Sequence, residues 1–206
     1  MSTLSPQGEA DDPVFERAIQ RLASLLDSAR LAGIGEWSAA ALATSGLDAR
    51  PSVRMVDVVQ VGAGGILLFA HRLSGKGQQM QANPRAALCF HWPTLHQQVT
   101  VDGEVAMLPS AEADLVWNHR PREVGLGHWA SDQTAPAEPE LGLEQRLHGL
   151  KRKFGFERPP RPPDWCAFAI LADRIEFWKT GWEHLKSRTR FHKDSSGVWS
   201  EDYQNP

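Results

Sequence analysis

Four separated segments carry polar or charged side chains inside strand and turn patterns that would hold them in place. Arg54 opens the run Arg54-Met55-Val56, and its planar fork suits a phosphate or carboxylate if the guanidinium reaches a pocket. Lys76 lies in Ser74-Gly75-Lys76-Gly77, where glycines allow close backbone approach and the ammonium adds a point charge. Both residues also read as ordinary surface cations. Gln97-Gln98 heads a strand-like stretch, an atypical place for a polar pair because β-branched and aromatic residues are preferred there. Pointing inward, such a glutamine needs partners, which a ring with carbonyl and imide groups would supply; pointing outward, it is a solvent-facing residue of a half-buried strand. Trp178 closes Ile175-Glu176-Phe177-Trp178, a strand with one buried face, where a tryptophan serves as core or as a subunit interface.

Other chemistries find less support. His91, His96, His119, His128, His184 and His192 show no metal-ligand spacing and no His-Glu-x-x-His pattern, so no metal site is expected. The serines lack a nucleophile-elbow context. Gly62-Ala63-Gly64-Gly65 lies between strand patterns with no helix following, which argues against a dinucleotide loop. A net charge of -3 disfavours a general nucleic-acid binder. The basic run from Lys151 to Arg161 is broken by prolines and reads as a solvated helix end and loop. Cys89 and Cys166 sit in apolar surroundings and are expected to be buried free thiols of a reducing compartment. No apolar run is long enough for a membrane span, and the polar, acidic N-terminus does not resemble a signal peptide, so a soluble cytoplasmic protein is expected.

The elements that must position these residues form one domain over 13–206 behind a disordered arm, 1–12. Asp12-Pro13 is a cap and first-turn pair for an amphipathic helix that Gly33 stops. Strands are expected at Ala39–Ser45, Val53–Val61, Gly65–His71, Ala86–His91 and Gln98–Met107. A hairpin is expected at Gly62–Gly65, a bend or bulge at Val101–Glu104, and a short helix near Lys76–Ala82. Ser110 is expected to cap a helix to about His119, and Leu141–Phe154 to form another. Arg158–Pro163 should be stiff and extended; Ala167–Leu171, Arg174–Lys179 and Val198–Tyr203 supply late strands. The pattern is α+β, mainly β, a small barrel with flanking helices.

Taken together and in order, the segments resemble the pyridoxamine 5'-phosphate oxidase family of FMN-binding split β-barrels. The resemblance runs from about Pro13 to Pro206. It rests on Arg54-Met55-Val56, Asn83-Pro84-Arg85, His91-Trp92-Pro93-Thr94-Leu95 with Gln97-Gln98-Val99, Arg120-Pro121-Arg122, Trp129-Ala130-Ser131-Asp132-Gln133 and Ile175-Glu176-Phe177-Trp178. It implies a homodimer with FMN between subunits. By that likeness Arg54 and Lys76 hold the FMN phosphate and nearby atoms. Met55, Val56, Phe69 and Ala70 supply flavin-contacting backbone, and Gln98 is a flavin glutamine. Gln133 and Thr134 reach in from the partner, and Trp178 and Arg188 complete the flavin side. A second phosphate arginine of the family is replaced by Gly75.

The substrate side departs further. Of the family's lysine, tyrosine, arginine and serine for the B6 phosphate, only the arginine is kept, as Arg120; Val59, Val116 and Val124 occupy the other positions. The family's Arg-Leu-His reads His184-Leu185-Lys186 here. The resemblance therefore implies an FMN-dependent oxidase that takes hydride from a small amine, alcohol or partly reduced ring, with oxygen as acceptor. Arg120, His184 and Lys186 would contact the substrate, and His184 would serve in acid–base chemistry. A true pyridoxine/pyridoxamine 5'-phosphate oxidase, a phenazine-type biosynthetic oxidase and a non-catalytic binder of FMN or a B6 vitamer are the alternatives.

Overall fold

In the computed structural model, residues 12–131, 140–181 and 186–204 are described. Helix α1 (Pro13–Leu31) begins where Asp12 Oδ1 accepts from the amides of Val14 (2.8 Å) and Phe15 (3.3 Å). It ends at Ala32, and Gly33 takes the left-handed φ of +73° that follows a helix most cheaply as glycine. Its buried stripe of Phe15, Ala18, Ile19, Leu22, Leu26 and Ala29 joins the main core. The helix is also tied to the last strand: Asp12 Oδ2 accepts from Trp199 N (3.4 Å), Arg17 pairs with Glu201 (2.9 Å), and Phe15 packs on Trp199.

Strands β1 (Ala39–Ser45), β2 (Pro51–Gly62), β3 (Gly65–His71), β4 (Arg85–Trp92), β5 (Gln97–Met107), β6 (Trp165–Thr180), β7 (Lys186–Lys193) and β8 (Trp199–Gln204) form one antiparallel sheet. The order is β3-β2-β1-β4-β5-β6-β7-β8, and β3 also pairs with β6. That extra pairing closes the first six strands of the order into a barrel, with β7 and β8 continuing outward. Helix α2 (Gly75–Ala82) lies after β3, and α3 (Ser110–Asn118), α4 (Arg122–Ala130) and α5 (Glu140–Phe154) lie between β5 and β6.

The described residues form two cores. The barrel interior with α1 buries Leu42, Leu68, Phe90, Val101, Phe168 and Phe177. A second cluster outside the barrel packs Leu67, Phe69, Trp117, Trp165, Ala167 and Ala169 together. Strand β3 and the first half of β6 lie between the two, so all seven residues of β3 are buried. Such a strand reads as a continuous apolar run rather than an alternation.

The two late strands expected at Ala167–Leu171 and Arg174–Lys179 are one strand, β6, interrupted by a bulge. Asp102 faces Arg174 and Gly103 faces Ala172, so Asp173 is the extra residue, and the expected bend falls at that step. The bulge inverts the side-chain alternation. Phe168 and Ile170 point into the barrel before it, Ile175 and Phe177 after it, which sends Glu176 and Trp178 to the other face.

Further differences concern local chemistry. Pro109, not Ser110, is the cap residue of α3; Ser110 is the first helical residue and its hydroxyl accepts from Arg161 (2.5 Å). Helix α4 and strand β7 were not anticipated. The basic run is not simply solvated: Arg161 is 7% exposed and pairs with Asp114 at 2.8 Å. Arg158 donates to the carbonyls of Asn118 and Arg120. Residues 158–162 have no regular secondary structure and the segment turns at Pro163-Asp164; it is pinned by the indoles of Trp117 to Pro159 O (3.1 Å) and Trp129 to Pro160 O (2.7 Å). Cys89 and Cys166 are free but only half-buried: Cys89 lies on the outer face of β4, between the inward Leu88 and Phe90, whereas Cys166 shares the inward parity of Phe168 and packs against the main core near the start of β6; partial burial still raises both thiol pKa values. Among the described residues, no helix is long and apolar enough to cross a membrane.

Candidate functional site

Arg54 is fixed before any ligand arrives. Its Nη1 donates to Thr44 Oγ1 (2.6 Å) and Leu42 O (3.2 Å), and its Nη2 to Gln79 Oε1 (3.1 Å). Gln79, on α2, is held in turn by the Thr44 hydroxyl (2.6 Å) and by its own donation to Ser52 (3.1 Å). Three neutral oxygens orient the guanidinium without cancelling its charge. Helix α2 starts beside it. Ser74 caps the helix through Gly77 N (3.3 Å), and Gly77 permits the tight turn, since a Cβ there would lie 2.3 Å from His71 O. Lys76 therefore sits close enough to Arg54 that burial, and then the neighbouring positive charge, lower its pKa.

The positive region continues. Arg120, between α3 and α4, places its guanidinium 5.2 Å from the Phe69 ring centroid. Burial lowers its pKa, and the Asp57 carboxylate opposes that shift. His128, on α4, packs at a tilt of 44° against Trp165 with centroids 3.9 Å apart and also leans on Trp117. Its pKa falls to about 4 because it is desolvated and faces Arg120 and Lys76, and its Nε2 has no hydrogen-bond partner. His128 is thus a neutral imidazole among cations.

Arg120 lines an open cleft of about 640 Å³ between β2 and the α3–α4 corner. Val59, Val116, Val124 and Trp37 form its apolar walls, while Ser38, Asp57, Gln60 and His119 are further polar groups. Val59 projects there because it is the unmatched residue of a β2 bulge: Val58 faces Leu68 and Gln60 faces Leu67. The three valines and the arginine, 65 residues apart at their extremes in sequence, thus share one wall.

Gln98, Trp178 and Arg188 form a second group. Gln98 faces Trp178 across β5–β6, and Trp178 faces Arg188 across β6–β7. The Arg188 guanidinium lies 4.6 Å from the Trp178 ring centroid and grips the buried Glu176 carboxylate with contacts of 2.8, 3.0 and 3.1 Å. Gln97, not Gln98, is the inward glutamine; it is buried and its Oε1 has no partner. Within one chain this group does not meet the first. Arg54 faces Leu42, Leu42 faces Leu88 and Leu88 faces Val101. Gln98 is therefore three strands around and three residues along, roughly 14 Å by 10 Å over the sheet.

The remaining expected residues are dispersed. Val56 lies on the Arg54 side of β2, Met55 points outward with 63% exposure, and Ala70 faces the barrel interior. Lys186 opens β7, its backbone facing Thr180. His184, Gln133 and Thr134 lie outside the described residues.

A family model described as pyridoxamine 5'-phosphate oxidase matches residues 26–179. A protein of Anaeromyxobacter dehalogenans named pyridoxine/pyridoxamine 5'-phosphate oxidase is 42% identical over 192 residues, 93% of this chain and 94% of its own. The chain belongs to the pyridoxamine 5'-phosphate oxidase family. A Myxococcus xanthus family member of the same name is 37% identical over 179 residues, 87% of either chain. Among solved structures, PhzG from Burkholderia lata, in complex with tetrahydrophenazine-1-carboxylic acid, matches with a TM-score of 0.83 at 27% identity, covering 97% of this chain and 96% of that one. A pyridoxamine 5'-phosphate oxidase-related FMN binding protein from Nostoc punctiforme matches in fold, with a TM-score of 0.72 at 18% identity over 91% of this chain and 96% of that one. The expected split barrel is the family's fold.

Asp57, His119, His128 and Gln79 were not singled out from the sequence as site residues. Asp57 sits inside an otherwise apolar strand run, where an isolated acid is a detectable signal. The others depend on how α2, α3 and α4 fold back on the barrel.

Proposed function

We propose that this family member is an FMN-dependent oxidase whose substrate is not a B6 phosphate. The observation that carries the reading is the cleft, where Arg120 is accompanied by Val59, Val116 and Val124, which cannot donate to a phosphate. The redox chemistry is FMN's: two electrons accepted from a substrate carbon and passed on, with oxygen the proposed acceptor.

The residues present fit that cofactor. Arg54, held by three oxygens, and Lys76 are cations at one corner, each with its pKa lowered by burial, so an anion there would relieve their mutual repulsion. They would hold the FMN phosphate, with Met55, Val56, Phe69 and Ala70 beside the flavin. Gln98, Trp178 and Arg188 are too far from that corner to serve the same ligand in one chain. A second copy would bring them to it, along with Gln133 and Thr134, and the proposed assembly is a homodimer. Arg120, His184 and Lys186 would contact substrate, with His184 moving the proton.

The names of the relatives favour a second reading, a true pyridoxine/pyridoxamine 5'-phosphate oxidase with a reduced phosphate pocket. Steady-state oxidation of pyridoxamine phosphate by FMN-loaded protein separates the two. The first reading expects poor turnover, raised by Val59→Lys with Val116→Tyr; efficient turnover by the unmodified protein overturns it. Cofactor extraction should yield FMN, and light scattering should give twice the chain mass.

A further inference from the structure

The cleft holds one cation and one anion that do not consume each other. Among the described residues, the Arg120 guanidinium makes no hydrogen bond or ion pair, although it is partly buried over Phe69. Asp57 lines the same cleft from β2, and its charge is the one that acts on Arg120, yet the two are not within ion-pair distance. The same cleft is lined by Val59, Val116, Val124 and Trp37, with Ser38, Gln60 and His119 as its other polar groups. We propose that the cleft takes an amino-carboxylate, with the carboxylate on Arg120, the protonated amine at Asp57, and a ring or chain of one- or two-ring size against Val59, Val116 and Val124.

Charge balance and donor geometry support this class. One guanidinium fork matches one carboxylate in a bidentate pair, whereas a phosphate dianion needs several donors. Arg120 and Asp57 sum to zero charge, so a zwitterion leaves neither of these two uncompensated. A dianion would add a net negative charge beside Asp57, and a simple amine would leave Arg120 unpaired in a partly desolvated position. A volume of about 640 Å³ is in the usual range for a small-molecule site. The proposal rests on the reading of this cleft as the substrate site and gives that site a substrate chemistry.

The test is calorimetric binding to FMN-loaded protein of 4-(aminomethyl)benzoate, 4-methylbenzoate, benzylamine and pyridoxamine phosphate. The zwitterion should bind at least tenfold more tightly than either singly charged compound. Asp57→Asn should reduce that advantage over 4-methylbenzoate to about nothing while leaving 4-methylbenzoate no weaker. Arg120→Gln should remove the advantage over benzylamine. If 4-methylbenzoate matches the zwitterion, or Asp57→Asn strengthens both equally, Asp57 only screens Arg120 and the amino-carboxylate class is wrong. Tighter binding of pyridoxamine phosphate, competitive with the probes and lost in Arg120→Gln, also overturns the class but keeps the cleft as substrate site. Val116→Trp, which fills the cleft, tests the site itself. Unchanged probe binding in that variant and in Arg120→Gln, with folding verified by circular dichroism, overturns both the proposal and the reading beneath it.

Discussion

Gly103 and Leu171 approach so closely that a Cβ on the glycine would lie 1.9 Å from the Leu171 carbonyl oxygen. This contact sits at the β5–β6 bulge and fixes which side of the second half of β6 faces the barrel. Gly103→Ala must push two backbones apart, and we expect a loss of about 3 kcal/mol, the upper end for overpacking. Urea denaturation measures it. A change below about 0.5 kcal/mol, the level of an ordinary surface substitution, would mean that the approach is not required.

His128 makes stability depend on pH. Its folded pKa, about 4, lies below the ordinary value of 6.5, so between those limits the unfolded chain binds the extra proton. Stability should therefore fall as pH drops from about 6.5 toward 4. His128→Phe keeps a ring between Trp117 and Trp165 and should flatten that slope. Urea midpoints at several pH values across the window decide it; an unchanged slope would assign the dependence to other groups.

The Arg188–Glu176 pair is asymmetric. Glu176 is 8% exposed at its side chain and Arg188 27%, so removing the arginine strands a buried carboxylate. Arg188→Ala should cost about 3 kcal/mol, near the low end for breaking a buried pair. Adding Glu176→Gln should recover part of the loss, because the charge left behind is then gone. Thermal melts of the two single variants and the double variant give the coupling, and additive losses would contradict it.

If Arg54 anchors the FMN phosphate, Arg54→Met should weaken FMN binding about 10- to 100-fold, the worth of one charge-assisted contact. Flavin fluorescence titration of the apoprotein measures this. Retention of wild-type affinity would remove Arg54 from the cofactor site.

Local pattern made much of the barrel legible. The limits of β1 and β3 follow from apolar runs bounded by glycine, serine and histidine, and the two-residue turn at Ala63-Gly64 from its glycines. Strand β7 was hidden because Lys186–Lys193 is mostly charged, with only Thr189 and Phe191 buried among its described side chains. Helix α4 was hidden by Gly125 and Gly127; at Gly125 a Cβ would lie 3.0 Å from the Pro159 ring, so the position packs tightly. At the candidate site, residue type could mark Arg54, Lys76 and Arg120. It could not show that Asp57 shares a cleft with Arg120, because that depends on a helical corner folding onto a strand sixty residues earlier.

The bonds from α1 to β8 also set an order of events during synthesis. The helix made first finds Trp199 and Glu201 only after nearly two hundred residues have been translated, roughly 10–40 s later at ribosomal speed. Until then part of its apolar stripe has no permanent cover. The growing chain must keep that stripe shielded, by transient contact with early strands or with a chaperone, and slowing translation of the last fifty codons would lengthen the exposure.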